Sequence, residues 1–497
     1  MPSVVRSRFV HCLVVAGLLL PSGAPAAAPE APPEVPSLPA RIPATWLTYH
    51  LAHPGPSGAV PGDPNPAFFH KGRYHLHYIY NAPTGFAYAH VSSPDMVRWK
   101  WHATRLEPGF TGHGMFSGTG FFTKDGRPAM IYHGDGSGKN WIMVARDDQL
   151  DEWSKPVAVE VKDASGAPAT MRHWDPDCWV MGDVYHALSG GNDPPLFTSP
   201  DLKEWRLVGP LFHERTPWEK LGVARDEDVS CANMFRLGDK WMLLCISHAL
   251  GARYYLGDFR DGKYLPERHA MLNWARYDCF APESLLTADG RRVAWFWCTP
   301  QPIGTQKVGR KKDFPALLDP AVCQAGIQSL PRELSLAEDG SLRMRPLREL
   351  ETLRHEPKTT GDVTVPGDGV QVLDAIAGDT LELEVVFSKP RAREYGVVLF
   401  CDGAGKDGVE IAHGAGRQSL TVDYIDPPFA LADGEDLTLR IFLDKGMVEV
   451  FANDRQAAVT WHEPNPERLR VGLFSRGGPV TARVKAWSMR SIYPPAP

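Results

Sequence analysis

The apolar positions of this chain come in short runs, and those runs predict strands almost throughout. Tyr74-His75-Leu76-His77-Tyr78, Ala129-Met130-Ile131-Tyr132 and Lys240-Trp241-Met242-Leu243-Leu244 are aromatic or aliphatic and are bounded by Gly, Asp and Asn, the pattern that sheet strands require. The stretches SSPDMVRW, RDDQLDEW and TSPDLKEW end at Trp99, Trp153 and Trp205, so the tryptophans recur 54 and 52 residues apart. Repeats of about this length built from short strands are the signature of propeller blades, and residues 43 to about 336 have room for roughly five. Beyond them Pro346-Leu347-Arg348-Glu349-Leu350-Glu351-Thr352-Leu353-Arg354 predicts one short helix, with proline at a helix-compatible start. After it LELEVVFS, YGVVLFCD, LTLRIFLD, MVEVFAND, RVGLFSR and TARVKAW alternate apolar and polar residues, which predicts an antiparallel sandwich. The expected architecture is all-β, with a propeller over residues 43–340 and a β-sandwich over 355–497.

Length and charge narrow the classes of function. A chain of 497 residues exceeds one ordinary core, in keeping with two domains. Its 53 basic and 59 acidic residues leave a net charge of −6, with no long Lys/Arg run, so nucleic acid is not an expected partner. Arg6 and Arg8 precede an apolar run from Phe9 to Leu20, followed by Ala24-Pro25-Ala26. Residues 1–27 therefore predict a removable signal peptide and an exported mature chain, periplasmic or extracellular. The apolar run is 12 residues long, short of the roughly 20 that span a bilayer, so no membrane span is expected in the mature chain. Residues 28–42, rich in Ala, Pro and Glu, predict a linker. Without Cys12, seven cysteines remain and none forms a C-x-x-C pair. That is neither a zinc pattern nor a disulfide framework, and buried single thiols are the plainer expectation.

Candidate chemistry enters through the acidic motifs. A propeller gathers its innermost strands around one axis, so residues at the ends of those strands converge on a central pocket. Asp63, Asp175 and Asp228 are separated by 112 and 53 residues, close to two blades and one blade of the tryptophan period. Paired carboxylates of this kind suit glycoside hydrolysis, where one attacks the anomeric carbon and a second gives a proton to the leaving oxygen, roughly 5 to 5.5 Å away in retaining enzymes. Asp63, in Gly62-Asp63-Pro64-Asn65, is the candidate nucleophile, and its plainer alternative is an aspartate capping its own turn. Asn65 in the same motif, Phe116, Ser117, and the flat faces of Trp141 and Trp174 are candidate sugar contacts. No cofactor or metal is expected, since the 18 histidines show no His-Glu-x-x-His spacing.

Gly62-Asp63-Pro64-Asn65, Phe116-Ser117-Gly118, Trp174-Asp175-Pro176, Ser230-Cys231 and Leu330-Pro331-Arg332-Glu333-Leu334 occur in an order that resembles glycoside hydrolase family 32. The resemblance covers nearly the whole mature chain, including LRIFLDKGMVEVFAND in the second domain. It implies a five-bladed propeller followed by a β-sandwich, cleaving β-fructofuranosyl bonds in an oligosaccharide or polysaccharide with retention. It also implies Asp63 as nucleophile and Asp175 as the carboxylate that binds two sugar hydroxyls in the transition state. Departures from the family pattern gather at the pocket. Gly62 stands where the family has Asn, Ile79 where it has Gln, and Trp174 where it has Arg, with Arg172 two residues away as a replacement cation. Ser230 takes the place of the glutamate that precedes the cysteine. Serine is no general acid near neutral pH. A strand's period of two puts Asp228 on the face of Ser230, with Glu227 opposite. Asp228 is thus the preferred substitute acid and Glu283 the reserve. The rival class is a carbohydrate-binding propeller that has kept the scaffold without the chemistry.

Overall fold

The computed structural model describes residues 35–38, 42–54, 62–103, 105–274, 279–299, 324 and 326–493. The signal peptide expected at 1–27, most of the linker expected at 28–42, and Cys323 lie outside the described residues. Among the described residues, helix is confined to single turns at Pro108–Thr111 and Trp218–Leu221 and a 3-10 segment at Arg348–Leu353. That last segment replaces the helix expected from Pro346. The antiparallel ladder with Arg332–Leu336 runs on through Pro346, which pairs with Arg332, so the chain turns only afterwards.

Five sheets occupy residues 64–346 among those described, antiparallel except where Val161–Lys162 pairs in parallel with Trp205–Pro210. Their innermost strands are Pro64–His70, Gly114–Phe122, Asp177–Met181, Ser230–Leu237 and Cys279–Leu286. These five strands are neighbours in that order, and the fifth lies against the first, which closes a ring. From each of them further strands are added outwards, so each sheet is a blade whose outer edge faces away from the axis.

The tryptophan repeat marks the step from the third strand of a blade to the fourth. In the first and third repeats, Asp95 Oδ1 accepts from the backbone N–H of Val97 and Arg98, and Asp201 Oδ1 accepts from those of Lys203 and Glu204. Met96, Leu150 and Leu202 take positive φ in these turns. The indoles of Trp153 and Trp205 donate back to the carbonyls of Leu150 and Leu202 at 2.9 and 3.2 Å. A short polar turn, held by an aspartate and closed by a buried indole, thus recurs because each blade must make the same corner.

The second domain packs a sheet ordered Arg354–Thr359, Val480–Met489, Thr380–Phe387, Leu437–Asp444, Met447–Ala452, Gln456–Trp461 against one ordered Gly369–Ala377, Arg470–Arg476, Glu394–Cys401, Val409–Gly414, Ser419–Val422. Their inward-facing Leu, Val, Ile and Phe side chains form one core. The seam with the propeller is closed by a shared apolar cluster that includes Phe296, Leu330, Phe451 and Trp461 and by buried charges. Arg332, from the Leu-Pro-Arg-Glu-Leu motif, bonds Glu449 at 3.0 Å, and His50 reaches Asp444 at 2.8 Å and Glu449 at 3.1 Å, all without solvent exposure. That motif is a structural clasp between the two domains.

Candidate active site

The inner strands do not reach the mouth of the central channel as regular ladders. Register shifts fall between Asn65 and Ala67, Met115 and Gly118, Ser230 and Asn233, and Phe280 and Pro282. A bulge adds a residue and re-aims its side chain, and Ser117 and Cys231 occupy two of these bulges. Asp175, Cys231 and Ala281 carry positive φ of 27°, 45° and 44°, backbone strain of the kind that gathers at functional sites.

Four side chains meet there. Ser117 Oγ donates to Asp63 Oδ2 at 2.9 Å, and the Cys231 backbone N–H donates to Asp175 Oδ2 at 2.9 Å. The Cys231 thiol lies 3.8 Å from Asp63 Oδ2, 3.8 Å from Ser117 Oγ and 3.7 Å from Asp175 Oδ2, so one sulfur touches both carboxylates. Each carboxylate keeps its other oxygen, Oδ1, buried without a hydrogen-bond partner among the described residues. Burial pushes Asp63 up to about 7, with the Asp175 charge adding to the shift and the Ser117 bond opposing it. Burial also raises Asp175, against the Cys231 N–H. The Asp175 charge thus opposes ionisation of Asp63.

A ring of aromatic and polar groups surrounds the cluster. Trp174 packs against Phe116 with centroids 6.1 Å apart, and the Arg172 guanidinium lies 4.5 Å over the Trp174 ring. Trp174 Nε1 donates to Ser230 Oγ at 3.0 Å, and Ser230 Oγ donates to Asp228 Oδ1 at 2.9 Å. Asp228 is thus on the side of Ser230, while Glu227 turns away to accept from Ser247. Asp228 Oδ2 lies 2.5 Å from His248 Nδ1. Burial works to raise Asp228, but the bonds from His248 and Ser230 outweigh it and hold the carboxyl below its ordinary range. A carboxyl held ionised has no proton to donate near neutral pH, which counts against Asp228 as the acid.

Three candidates stand apart from this cluster. Glu283 is buried one layer deeper, where it accepts from Thr119 Oγ1 at 3.0 Å; burial holds it well above its usual range, with Asp177 and Arg292 as charged neighbours. Asn65 is engaged at both ends: Nδ2 donates to the Asp63 carbonyl at 2.7 Å, and Oδ1 accepts from Gly118 N–H at 2.8 Å. Its amide therefore ties the first blade to the second instead of facing a ligand. Trp141 donates to Ser137 at 2.9 Å and stacks on His113 at 4.4 Å.

The departures at 62 and 79 also have physical counterparts. A Cβ on Gly62 would lie 2.4 Å from Gly326 Cα and 2.8 Å from Trp297 Nε1, so the space an asparagine would need is taken. Ile79 is wholly buried beside Tyr88 and Met115, and its N–H donates to the Asp63 carbonyl at 3.0 Å.

Two further groups were not legible from the motifs. Cys231 enters the motifs only as a neighbour of the missing glutamate, yet its sulfur is the centre of the cluster. His248 lies just past the strand Lys240–Ser247, where Ser230 pairs with Ile246; continuing that register by two residues puts Asp228 opposite His248. Away from the mouth, His90, His102 and Asp151 bring one ligand atom each within 4.8 Å of one another, a donor set of the type that holds a divalent transition metal. Asp151 Oδ1 lies 2.9 Å from His102 Nδ1 and 3.2 Å from His90 Nδ1, so hydrogen bonds satisfy these atoms within the fold. Six cysteines among the described residues are free thiols, five of them buried. No helix among those residues is long and apolar enough to cross a membrane.

Comparison with known proteins follows the same division of the chain. The family model described as "Glycosyl hydrolases family 32 N-terminal domain" matches residues 53–346, and "Glycosyl hydrolases family 32 C terminal" matches 349–488. The raffinose invertase of Escherichia coli is 27% identical over 490 residues, covering 89% of this chain and 94% of the relative. The sucrose-6-phosphate hydrolase of Salmonella typhimurium is 26% identical, covering 85% and 93%. The crystal structure of fructan 1-exohydrolase IIa from Cichorium intybus superposes with a TM-score of 0.71 at 18% identity, over 91% of this chain and 98% of that one, which is a likeness of fold.

Proposed function

This chain belongs to glycosyl hydrolase family 32, a family of β-fructofuranosidase-type hydrolases, and on that premise we propose that it cleaves β-fructofuranosyl bonds with retention through Asp63. The supporting observation is the pair of buried carboxylates bridged by Cys231, each with one oxygen anchored and the other, Oδ1, without a partner among the described residues. In the first half-reaction an Asp63 oxygen attacks the anomeric carbon and the leaving oxygen departs with the bonding electron pair. Asp175 accepts hydrogen bonds from two sugar hydroxyls, which strengthen as positive charge develops on the ring. Water then releases the sugar from Asp63.

The nucleophile must be ionised. With Asp63 raised to about 7, kcat/KM climbs as pH rises through that region. The test is reducing-sugar release by the purified chain from sucrose, inulin and levan beside Asp63→Asn. Release abolished by the substitution supports the proposal, and equal release by both proteins overturns it.

A second reading draws on one observation, that no carboxylic acid stands at position 230. On this reading the mouth binds sugar without cleaving it. Saturable binding of fructo-oligosaccharide without any release would select it. We also propose that the mature chain acts outside the cytoplasm, on the strength of Arg6, Arg8 and the apolar run after them. A mature N-terminus near residue 28 is the result expected from sequencing the native protein, and an intact Met1 would overturn it.

A further inference from the structure

Hydrolysis through Asp63, as proposed above, needs a proton donor for the leaving oxygen, and the identity of that donor rests on the same reading of the site. Ser230 has no acidic proton to give, Asp228 is held ionised, and Glu283 bonds Thr119 a layer below the cluster. Two of the positions at which the chain departs from its family are, however, bonded to each other. Trp174 Nε1 donates to Ser230 Oγ, and Ser230 Oγ donates to Asp228 Oδ1. The relay ends on His248, whose Nδ1 lies 2.5 Å and whose backbone N lies 3.2 Å from Asp228 Oδ2. The buried Arg253 guanidinium donates to the Asp228 carbonyl, so the carboxylate is anchored from its backbone side as well.

A carboxylate on one nitrogen of an imidazole fixes the tautomer and orientation of the ring, and assigns the transferable proton to the other nitrogen. Among the described residues, the carboxylates whose charge reaches His248 include Asp228 from the loop before the fourth inner strand, Asp63 from just before the first, and Asp175 from just before the third. From the fifth, the uncharged Phe280 ring stands edge-on at 5.9 Å. The Asp228 bond raises His248 above the ordinary histidine value, burial opposes it, and the charges of Asp175 and Asp63 add to the rise. Reciprocally, the His248 charge draws both Asp63 and Asp175 downwards. The imidazolium and the two reactive carboxylates thus feel one another across the mouth.

We propose that His248, oriented by Asp228, delivers the proton to the leaving-group oxygen in place of the glutamate this chain lacks at position 230. As the bond between the anomeric carbon and the leaving oxygen breaks, that oxygen takes the electron pair and the Nε2 proton, leaving neutral imidazole. In the second half-reaction the neutral Nε2 removes a proton from water. The water oxygen bonds the anomeric carbon, Asp63 departs as carboxylate, and His248 is again protonated. Asp228 is a positioning residue.

The experiment compares the full chain on sucrose and on β-D-fructofuranosyl fluoride, whose fluoride leaves without a proton. His248→Ala and His248→Gln are expected to lower kcat/KM on sucrose about 10²- to 10⁴-fold while changing kcat/KM on the fluoride, which reports only the first half-reaction, less than about tenfold. Asp228→Asn, which weakens the hold on the imidazolium, is expected to move the alkaline limb of the sucrose profile to lower pH, which a merely structural role would not do. Equal losses on both substrates, or no loss on sucrose in either His248 variant, would overturn the assignment of the acid. Retention of both activities by Asp63→Asn would instead overturn the hydrolytic proposal beneath it.

Discussion

At the mouth of the channel Asp63 and Asp175 are buried, and at the seam between propeller and sandwich Asp444 and Glu449 are buried as deeply, yet the two pairs fall on opposite sides of the ordinary carboxylate range. Burial raises all four. At the seam it is outweighed: His50 bonds both carboxylates, Arg332 bonds Glu449, and backbone N–H groups of Thr48, Tyr49 and Leu330 complete the shells, so both groups are held below their usual values. His50 is correspondingly raised to about 9. At the mouth each carboxylate has one oxygen anchored, by a hydroxyl or a backbone N–H, and one bare, so both rise. The difference separates two uses of a buried charge. A fully partnered one holds domains together, and a half-partnered one stays reactive and costs stability.

The largest expected break in this comparison is Asp63→Asn. It should lower sugar release about 10³- to 10⁵-fold without lowering the melting temperature, because it removes a buried charge with an unsatisfied oxygen. Asp63 has a folded pKa of about 7 against an unfolded 3.8, so its contribution to stability is full below the lower value and is lost as pH rises through the upper. The substitution should flatten that decline in denaturant titrations. Glu449→Gln should do the reverse at the seam, costing about 3–5 kcal/mol by leaving Arg332 buried without its counter-charge. Urea midpoints would show it, with no change in the shape of the pH–rate profile.

Gly62→Asn, which restores the family residue, is expected to destabilise by about 1–3 kcal/mol, because its Cβ meets the Gly326 backbone and the Trp297 indole. A rise in melting temperature would refute the packing account. The smallest expected effect is the pH slope set by His50, whose folded value exceeds its unfolded one. Its stabilising contribution is complete below about 6.5 and is lost as pH rises through about 9. Melting temperatures from pH 6 to 10 should fall across that window, and less so in His50→Gln.

Much of the fold was legible because strand signals are local. LTLRIFLD and MVEVFAND became adjacent strands of one sheet, with Leu437–Asp444 paired to Met447–Ala452, since a turn as short as Lys445-Gly446 leaves a hairpin as the only connection. The helix expected at Pro346 was misplaced because a strand pairing with Arg332, made in the folded protein, overrode the local preference. At the site, the spacing of Asp63 and Asp175 led to two carboxylates that do share one cluster. Asn65 was chosen for its place in the Asp63 motif and Trp141 for its flat face, and neither ground says whether an amide or indole is already engaged within the fold.

The chain order of its motifs and the tryptophan period were enough to establish an all-β propeller with a sandwich behind it, because blade corners and alternating strands are written in contiguous residues. Which carboxylates stay bare, why Asp228 is held ionised, and how His248 comes to stand beside it were decided only by the tertiary structure. Those properties depend on bulges in four inner strands, on the register of the Ser230–Ser247 hairpin and on burial. These bring together groups distant in sequence, from different blades or from opposite strands of one hairpin, and the electrostatics of a buried group is the sum over neighbours that no local stretch of sequence contains.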